Sequence, residues 1–474
     1  MRKLLTGELV DTVYVSSIGT DAKGYGTETA PYQTLNYAVS KVNDGGMIYV
    51  KNTLTCTEAD STYYFIDSSD NHIESASNVI NKVNNKQVTI AGYDDTAILD
   101  FSSENGLALN ESVILKDIQV KWPSRVRAEG NTFIVEESVT QGGTIEPMVI
   151  AGSHYHNLDK TDIRLYAGTY KMIMGGQLKN TVGETHVIVG GSVNSGIDAT
   201  SHDHTYILYG GCYNEGGLAT VSGDTYVTVE EGAKFNYVYG AGGRSSSSKV
   251  LSVVAGETNI DFSGEAYGVF GGAYGLDSNS TNVKITGGTV YQVFGGSEEG
   301  AVTGNTNVQI LDGTVRRRIF GGSYNDQDKD TAFYVSGQST VTLDPAATLN
   351  LTEGSCQSVA AISRHKTPYD NEVGVFIIND YENNTTNCNK IGIDSLLTSW
   401  YDFDSKTHDH LVLVGNNGTV ASRDGKLYVT PDSGYIATVV YGANNTEITS
   451  NEDGSYTLPV EDSTITVTFS ASAE

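Results

Sequence analysis

Residues 281–296 decide the fold of this chain, and they read Thr281-Asn-Val-Lys-Ile-Thr-Gly-Gly-Thr-Val-Tyr-Gln-Val-Phe-Gly-Gly296. Two short runs of alternating apolar residues, each typical of a β-strand, are separated by Gly287-Gly288. A second pair of glycines ends the second run after an aliphatic and an aromatic residue. A segment this short cannot bury its apolar side chains alone, so neighbouring copies must cover them.

Copies of both strand types recur on either side of this stretch. The first type is a Thr or Ser followed by apolar residues at alternate positions, and it begins at Thr161, Thr185, Thr225, Thr258, Thr281, Thr306 and Ser339. The second type ends in an aliphatic residue, a bulky residue and two glycines or a close variant, with the aliphatic residue at Val149, Ile173, Leu208, Val238, Val269, Val293 and Ile319. Where no loop is inserted, the copies are about 24 residues apart, which suits one coil of a β-helix.

The repeat predicts an all-β fold in which the coils stack into a parallel β-helix, a solenoid that covers about residues 12–420. An amphipathic run precedes the repeat, and we expect a helix near residues 33–44 to cap the open end of the solenoid. From about residue 426 the pattern changes, which predicts a small C-terminal β-sandwich over residues 426–474 that acts as a spacer.

Two columns of side chains precede the double glycines. The aliphatic column includes Val269, Val293 and Ile319, and we expect these three to stack in the core. Strict alternation points the next column outward, but the glycines that follow could turn its rings inward, and we favour the inward stack. Its members are Met174, Tyr209, Tyr239, Phe270, Phe294 and Phe320.

Composition narrows the function classes. The chain has 474 residues and a formal net charge of -28, with 57 acidic against 29 basic residues. Such a surface repels phosphate backbones, which argues against nucleic acid as a partner. It also disfavours anionic substrates such as polygalacturonate unless Ca²⁺ or a local basic patch intervenes, and it permits neutral glycans. No apolar run is long enough for a membrane span, and the four distant cysteines match no disulfide or zinc pattern.

The unit at 281–296 resembles the β-strand repeats of large surface proteins of gut Firmicutes, over roughly residues 150–345. The N-terminal order of strand, short helix, glycine turn and strand resembles the start of β-helices of the pectate-lyase-like superfamily. Non-catalytic, xylan-binding β-helical modules of herbivore gut bacteria are similar in size and setting. These resemblances imply a right-handed parallel β-helix on an extracellular or cell-surface bacterial protein, with a catalytic module covalently linked in the parent protein.

Tyrosines follow the double glycines at Tyr213, Tyr274 and Tyr324, and Glu298 takes that place in an intervening coil. If the small residue before each faces inward, the tyrosines face outward. They recur every two coils, or about 10 Å, which is close to the length of two sugar units. Because exposed rings stack on pyranose rings, we expect these four residues to bind a polysaccharide. Further polar contacts are expected from Gln292, Arg318 and Asn325.

Two groups of residues are candidate metal ligands. His202 and His204 form a pair in an insertion at 195–204 that we expect to protrude from the coils. Asp326, Asp328 and Asp330 resemble the start of a Ca²⁺ loop but lack its turn glycine and distal glutamate. The alternative for both groups is an ordinary solvated loop without a metal.

The sequence favours a non-catalytic module that binds a neutral plant cell-wall polysaccharide, with xylan as the specific candidate. A polysaccharide lyase or glycoside hydrolase stays open as an alternative, since the basic run 316–318 could serve as a base or neutralise charge. The Asn-Thr-Asp and Gly-His-Gly signatures of polygalacturonases are absent. A cell-surface adhesin is the third class.

Overall fold

A computed structural model describes residues 9–56, 63–66, 86–103, 105–154, 156–177, 180–214, 219–244, 253–324, 333–349, 358–364, 372–382, 410–461 and 463–472. These residues are almost entirely β-structure, and most strands belong to one large, mostly parallel sheet. The all-β prediction is confirmed, and the parallel stacking of repeats is consistent with a solenoid.

The strand that begins each repeat pairs in parallel with the corresponding strand of the next repeat. Thr258, Thr281 and Thr306 therefore lie side by side. This first column consists of Val10–Ser16, Val42–Lys51, Gln87–Gly92, Ser112–Lys116, Phe133–Val135, Leu158–Leu165, Asn180–Val189, Thr225–Val229, Thr258–Phe262, the first halves of Thr281–Phe294 and Thr306–Phe320, Gln338–Leu343, Val373–Asn379, His410–Val414 and Ser463–Ala471.

The strands before the double glycines form a second parallel column. Val269, Val293 and Ile319 are neighbours in it and are fully buried, which confirms the predicted stack. The column consists of Gly106–Leu109, Arg125–Arg127, Met148–Ile150, Met172–Met174, Ile207–Tyr209, Lys234–Tyr239, Glu265–Phe270, the second halves of Thr281–Phe294 and Thr306–Phe320, and Ser358–Ala360.

Shorter strands complete the coils. A separate parallel sheet near the N-terminus contains Thr53–Thr55, Ile98–Asp100, Gln119–Lys121 and Thr140–Gly142. The other short strands are Tyr63–Ile66, Tyr213–Asn214, Ala219–Val221, Gly243–Arg244, Val253–Val254 and Thr348–Leu349.

In six of the repeats, a buried threonine hydroxyl joins the first strand to the turn that follows the second strand. The first-column threonines donate from Oγ1 to the carbonyl oxygen of the first glycine after the second strand, at 2.5–2.6 Å. These threonines are buried, and a buried hydroxyl needs a partner. The pairs are Thr161–Gly175, Thr185–Gly210, Thr225–Gly240, Thr258–Gly271, Thr281–Gly295 and Thr306–Gly321.

At Gly271, Gly295 and Gly296, close stacking of the coils leaves no room for a side chain. A Cβ atom on Gly271 would lie 2.1 Å from the carbonyl oxygen of Gly295, and one on Gly295 would lie 2.0 Å from that of Gly321. A Cβ atom on Gly296 would lie 2.4 Å from the Oγ atom of Ser323. The first glycine thus admits the backbone of the next coil, and the second admits its small side chain.

The helix α1 (Leu35–Lys41) lies within the predicted range 33–44. The Thr34 side chain accepts a hydrogen bond from the Tyr37 amide at 3.2 Å and so begins the helix. Leu35, Ala38 and Val39 join the main apolar core. Among the described residues, no helix is long and apolar enough to cross a membrane.

The C-terminal region continues the large sheet. Ser463–Ala471 pairs in parallel with His410–Val414 and antiparallel with Tyr435–Tyr441, which also pairs with Thr446–Glu447. One apolar cluster contains residues from both sides of the predicted domain boundary at 420–426. The division of the chain into two domains stays a prediction. A small antiparallel sheet contains Gly418–Arg423, Lys426–Pro431 and Tyr456–Thr457.

Candidate functional site

The bulky residues before the double glycines lie on the outer face of the second column. Val293 and Phe294 are both buried, but Val293 belongs to the aliphatic core and Phe294 to a separate cluster. The prediction that the rings turn into the aliphatic core is therefore wrong, because strand alternation persists up to the glycines. The rings stack at centroid distances of 4.9–5.2 Å in what we call the aromatic column, Tyr209, Tyr239, Phe270, Phe294 and Phe320.

The residues after the double glycines form a second line along the coils. Parallel pairing joins each of them to its counterpart in the next coil. We call this line the tyrosine row: Tyr213, Gly243, Tyr274, Glu298, Tyr324 and Arg364. The register confirms that the three tyrosines recur every two coils. The preceding small residues are buried, as expected, at Cys212, Ala273 and Ser323.

The tyrosines of the row pack over the aromatic column. Tyr213, Tyr274 and Tyr324 are half-buried and contact that cluster. The Tyr324 ring meets Phe294 edge to face with centroids 5.3 Å apart, and the Tyr274 ring lies 5.9 Å from Tyr239. Each tyrosine therefore has a packed part and an exposed part, so it contributes to stability as well as to the surface.

Glu298 is held by the aromatic column. The Tyr239 hydroxyl donates a hydrogen bond to its carboxylate. Burial raises the pKa of Tyr239 well above its usual value, and the negative charge of Glu298 acts in the same direction. Burial and the same carboxylate also raise the pKa of Tyr237. Both phenols therefore stay protonated at neutral pH.

Gln292 and Arg318 lie side by side in the second column, and they are only 5% and 3% exposed. The guanidinium of Arg318 lies 5.8 Å from the centre of the Tyr324 ring, and that of Arg364 lies 4.8 Å from it. Because Gln292 and Arg318 are buried beneath the tyrosine row, they have little surface with which to contact a ligand. Sequence reasoning missed Arg364 because the double glycine is missing before it, where the chain reads Ala-Ala-Ile-Ser.

One extra residue changes the surface beside the tyrosine row. The strand register shifts so that Tyr291 stands opposite two residues, Arg316 and Arg317, and such a bulge re-aims side chains. Arg316 donates to the Tyr291 hydroxyl at 3.3 Å, and Arg317 donates to the Tyr267 hydroxyl. The sequence contains a signal for this bulge. The strand Thr306–Phe320 has 15 residues, one more than the 14 of the neighbouring strand Thr281–Phe294.

The insertion at 195–204 packs two of its side chains against this face, while most of its residues stay exposed. The His204 ring stacks on Tyr237 with centroids 4.1 Å apart, and the His202 ring stacks on Tyr267 at 4.8 Å. The Asn236 amide donates to two carbonyl oxygens of the insertion at 3.0 and 3.3 Å. Burial lowers the pKa of His204. The negative charges of Glu299 and Asp203 raise this pKa, but by less.

The structure describes only one of the two groups of candidate metal ligands, the histidine pair. His202 and His204 stack on different tyrosines. Among the described residues, no three His, Cys, Asp or Glu side chains are grouped so that they could hold a metal ion. Asn325 and the proposed calcium ligands Asp326, Asp328 and Asp330 lie outside the described residues.

Comparison with known proteins does not assign the chain to a family. Its sequence matches no family model, and no curated protein or solved structure matches it either. Function therefore has to be argued from the tyrosine row and its surroundings.

Proposed function

We propose that this chain is a right-handed parallel β-helix of an extracellular or cell-surface bacterial protein, and that it binds a polysaccharide along the tyrosine row without cleaving it. The observation that carries the proposal is the register of the row, which presents Tyr213, Tyr274 and Tyr324 at every second coil. At a strand spacing of about 4.8 Å, successive rings are about 10 Å apart, close to the length of two sugar units.

The chemistry of the row suits a pyranose chain. The exposed part of each half-buried tyrosine offers an apolar surface to a sugar, and its hydroxyl can exchange hydrogen bonds with sugar hydroxyls. Glu298 stands between Tyr274 and Tyr324 and adds a hydrogen-bond acceptor. A glycan along the coil axis would thus meet ring, carboxylate and ring in turn.

The proposed ligand is a neutral plant cell-wall polysaccharide, with xylan as the specific candidate. The net charge of -28 supports this choice, since it disfavours anionic polymers. In the same proposal, α1 caps the first coil, residues 426–474 act as a spacer, and a catalytic module is linked to the chain in the parent protein. The buried face of α1 favours the capping role.

A panel of plant polysaccharides in affinity electrophoresis tests the proposal. We expect a neutral glycan such as xylan to retard the protein without release of reducing sugar. Loss of one stacking ring should cost about 1–2 kcal/mol, about tenfold or more in affinity. The variant Tyr274→Ala/Tyr324→Ala should therefore lose measurable retardation.

A matched control is Tyr226→Ala. Tyr226 is a surface residue that stacks on His186 with centroids 4.7 Å apart, and it lies on the first column, away from the row. Equal retardation of the double variant and this control would refute the assignment of the row as the binding site. Urea denaturation of each variant separates lost binding from lost folding.

One observation favours an enzyme as the second candidate. The buried phenols of Tyr237 and Tyr239 have raised pKa values beside the partly exposed carboxylate of Glu298, and groups with shifted pKa values concentrate in active sites. A hydrolase would release reducing sugar, and a lyase would form an unsaturated uronate that absorbs in the ultraviolet. Either product should disappear in Glu298→Gln, whereas binding without product excludes this candidate.

A further inference from the structure

Four arginines gather at one end of the tyrosine row. Arg316, Arg317 and Arg318 are consecutive, and Arg364 joins them because the guanidinium groups of Arg318 and Arg364 both lie over the Tyr324 ring, at 5.8 and 4.8 Å. The whole chain has only 29 basic residues against 57 acidic ones. Four positive charges on two adjacent coils are therefore a local concentration of basic residues in an acidic chain, beside the carboxylates of Glu298 and Glu299.

The four arginines differ in exposure: Arg318 and Arg364 form a buried pair, and Arg316 and Arg317 form a partly exposed pair that we call the presented pair. Arg318 and Arg364 are only 3% and 6% exposed. Arg316 and Arg317 are half-buried, and the register shift turns both toward the stacked rings of Tyr267 and Tyr291, whose centroids are 5.7 Å apart. The presented pair can reach a ligand on the surface.

The bond from Arg317 to the Tyr267 hydroxyl does not use all the hydrogen-bond donors of its guanidinium group. A guanidinium has five N–H donors in a planar fork, and the bond from Arg317 to the Tyr267 hydroxyl uses one of them. A carboxylate is the group that such a fork binds with two parallel hydrogen bonds. The Tyr267 ring stacks on both His202 and Tyr291 and is only 5% exposed, so it holds Arg317 in place and does not itself contact a sugar.

We propose that this end of the row is a subsite for a uronic acid, whose carboxylate binds Arg316 and Arg317. The net charge of -28 opposes a polymer with a charge on every sugar, so the partner is a largely neutral glycan with widely spaced uronate substituents. The inference rests on the proposed binding of a polysaccharide along the tyrosine row and names the substituent that the site selects.

The first test uses the unmodified protein. Its affinity is measured for glucuronoxylan and for the same polymer after chemical reduction of the carboxyl groups to alcohols. We expect the reduced polymer to bind about tenfold more weakly, a difference of about 1.4 kcal/mol. Added salt should weaken binding of the acidic polymer and leave binding of the reduced polymer nearly unchanged, because salt screens charge. Equal affinity for the two polymers overturns the inference.

The second test removes the two presented charges in Arg316→Gln/Arg317→Gln. Glutamine keeps a hydrogen-bond donor near the two phenols. The matched control Arg164→Gln/Lys234→Gln removes the same charge from residues that pair elsewhere with Asp162 and Glu265. We expect about tenfold weaker binding of the acidic polymer in the first variant only, and no more than a twofold change for the reduced polymer.

The outcomes separate this inference from the function on which it rests. Equal losses for both polymers in Arg316→Gln/Arg317→Gln overturn the uronate subsite. If Tyr274→Ala/Tyr324→Ala then still loses both polymers, polysaccharide binding stands without the subsite. Failure of the unmodified protein to bind either polymer, or any other glycan of the panel, overturns both.

Discussion

Replacing Gly295 by alanine tests the stacking of the coils directly. The new Cβ atom would lie 2.0 Å from the carbonyl oxygen of Gly321 in the next coil. An ordinary contact between carbon and oxygen needs more than about 3 Å, so the two backbones must separate by about 1 Å. No side chain can move to relieve this overlap, because the atom it meets belongs to the backbone.

The cost follows from the hydrogen bonds that such a separation breaks. The Gly295 amide donates to Phe320 O at 2.9 Å, and the Gly296 amide donates to Gly322 O at 2.9 Å. A lengthening of about 1 Å takes both beyond hydrogen-bond range, at about 1 kcal/mol each. Overpacking adds about 1–3 kcal/mol, so the free energy of unfolding should fall by about 3–5 kcal/mol.

Urea denaturation followed by circular dichroism measures this loss. The matched control is Gly196→Ala, because a Cβ atom on Gly196 would have no atom within 4 Å and its φ is not positive. We expect the control to stay within about 0.5 kcal/mol of the parent. If Gly295→Ala is as stable as the control, the double glycine does not serve coil stacking and the reasoning is wrong.

Three other predictions concern the same coils. Thr281→Val should lower the free energy of unfolding in urea by about 1–3 kcal/mol, because it leaves the carbonyl oxygen of Gly295 buried without its hydroxyl donor. Phe294→Ala should cost about 3–5 kcal/mol in the same assay, although the ring lies outside the aliphatic core. Since the pKa of His204 is lowered, protonation at acid pH opposes its stacked position on Tyr237, and stability is lost as pH falls below about 6.5. Proteolysis of the insertion should therefore speed up from pH 7 to pH 5, and His204→Phe should abolish that pH dependence.

Much of the coil could be predicted from local patterns. Alternating apolar residues and regularly spaced glycines predicted the strands, the stacking of Val269 with Val293 and the two-coil spacing of Tyr274 and Tyr324, and the register confirms each of them. These features follow from the chain near each residue, because alternation decides which side chains share a face and the repeat length decides which residues become neighbours.

The sequence by itself determined the all-β class, the parallel repeat and the row of residues after the double glycines. Only the tertiary structure decided what covers the outer face: the packing of Tyr324 on Phe294, the return of His204 onto Tyr237 and the approach of Arg364 to Tyr324. The physical reason is distance along the chain. Contacts between residues tens of positions apart depend on how the coils stack in space, and no local pattern of one coil specifies which side chain of another will cover it.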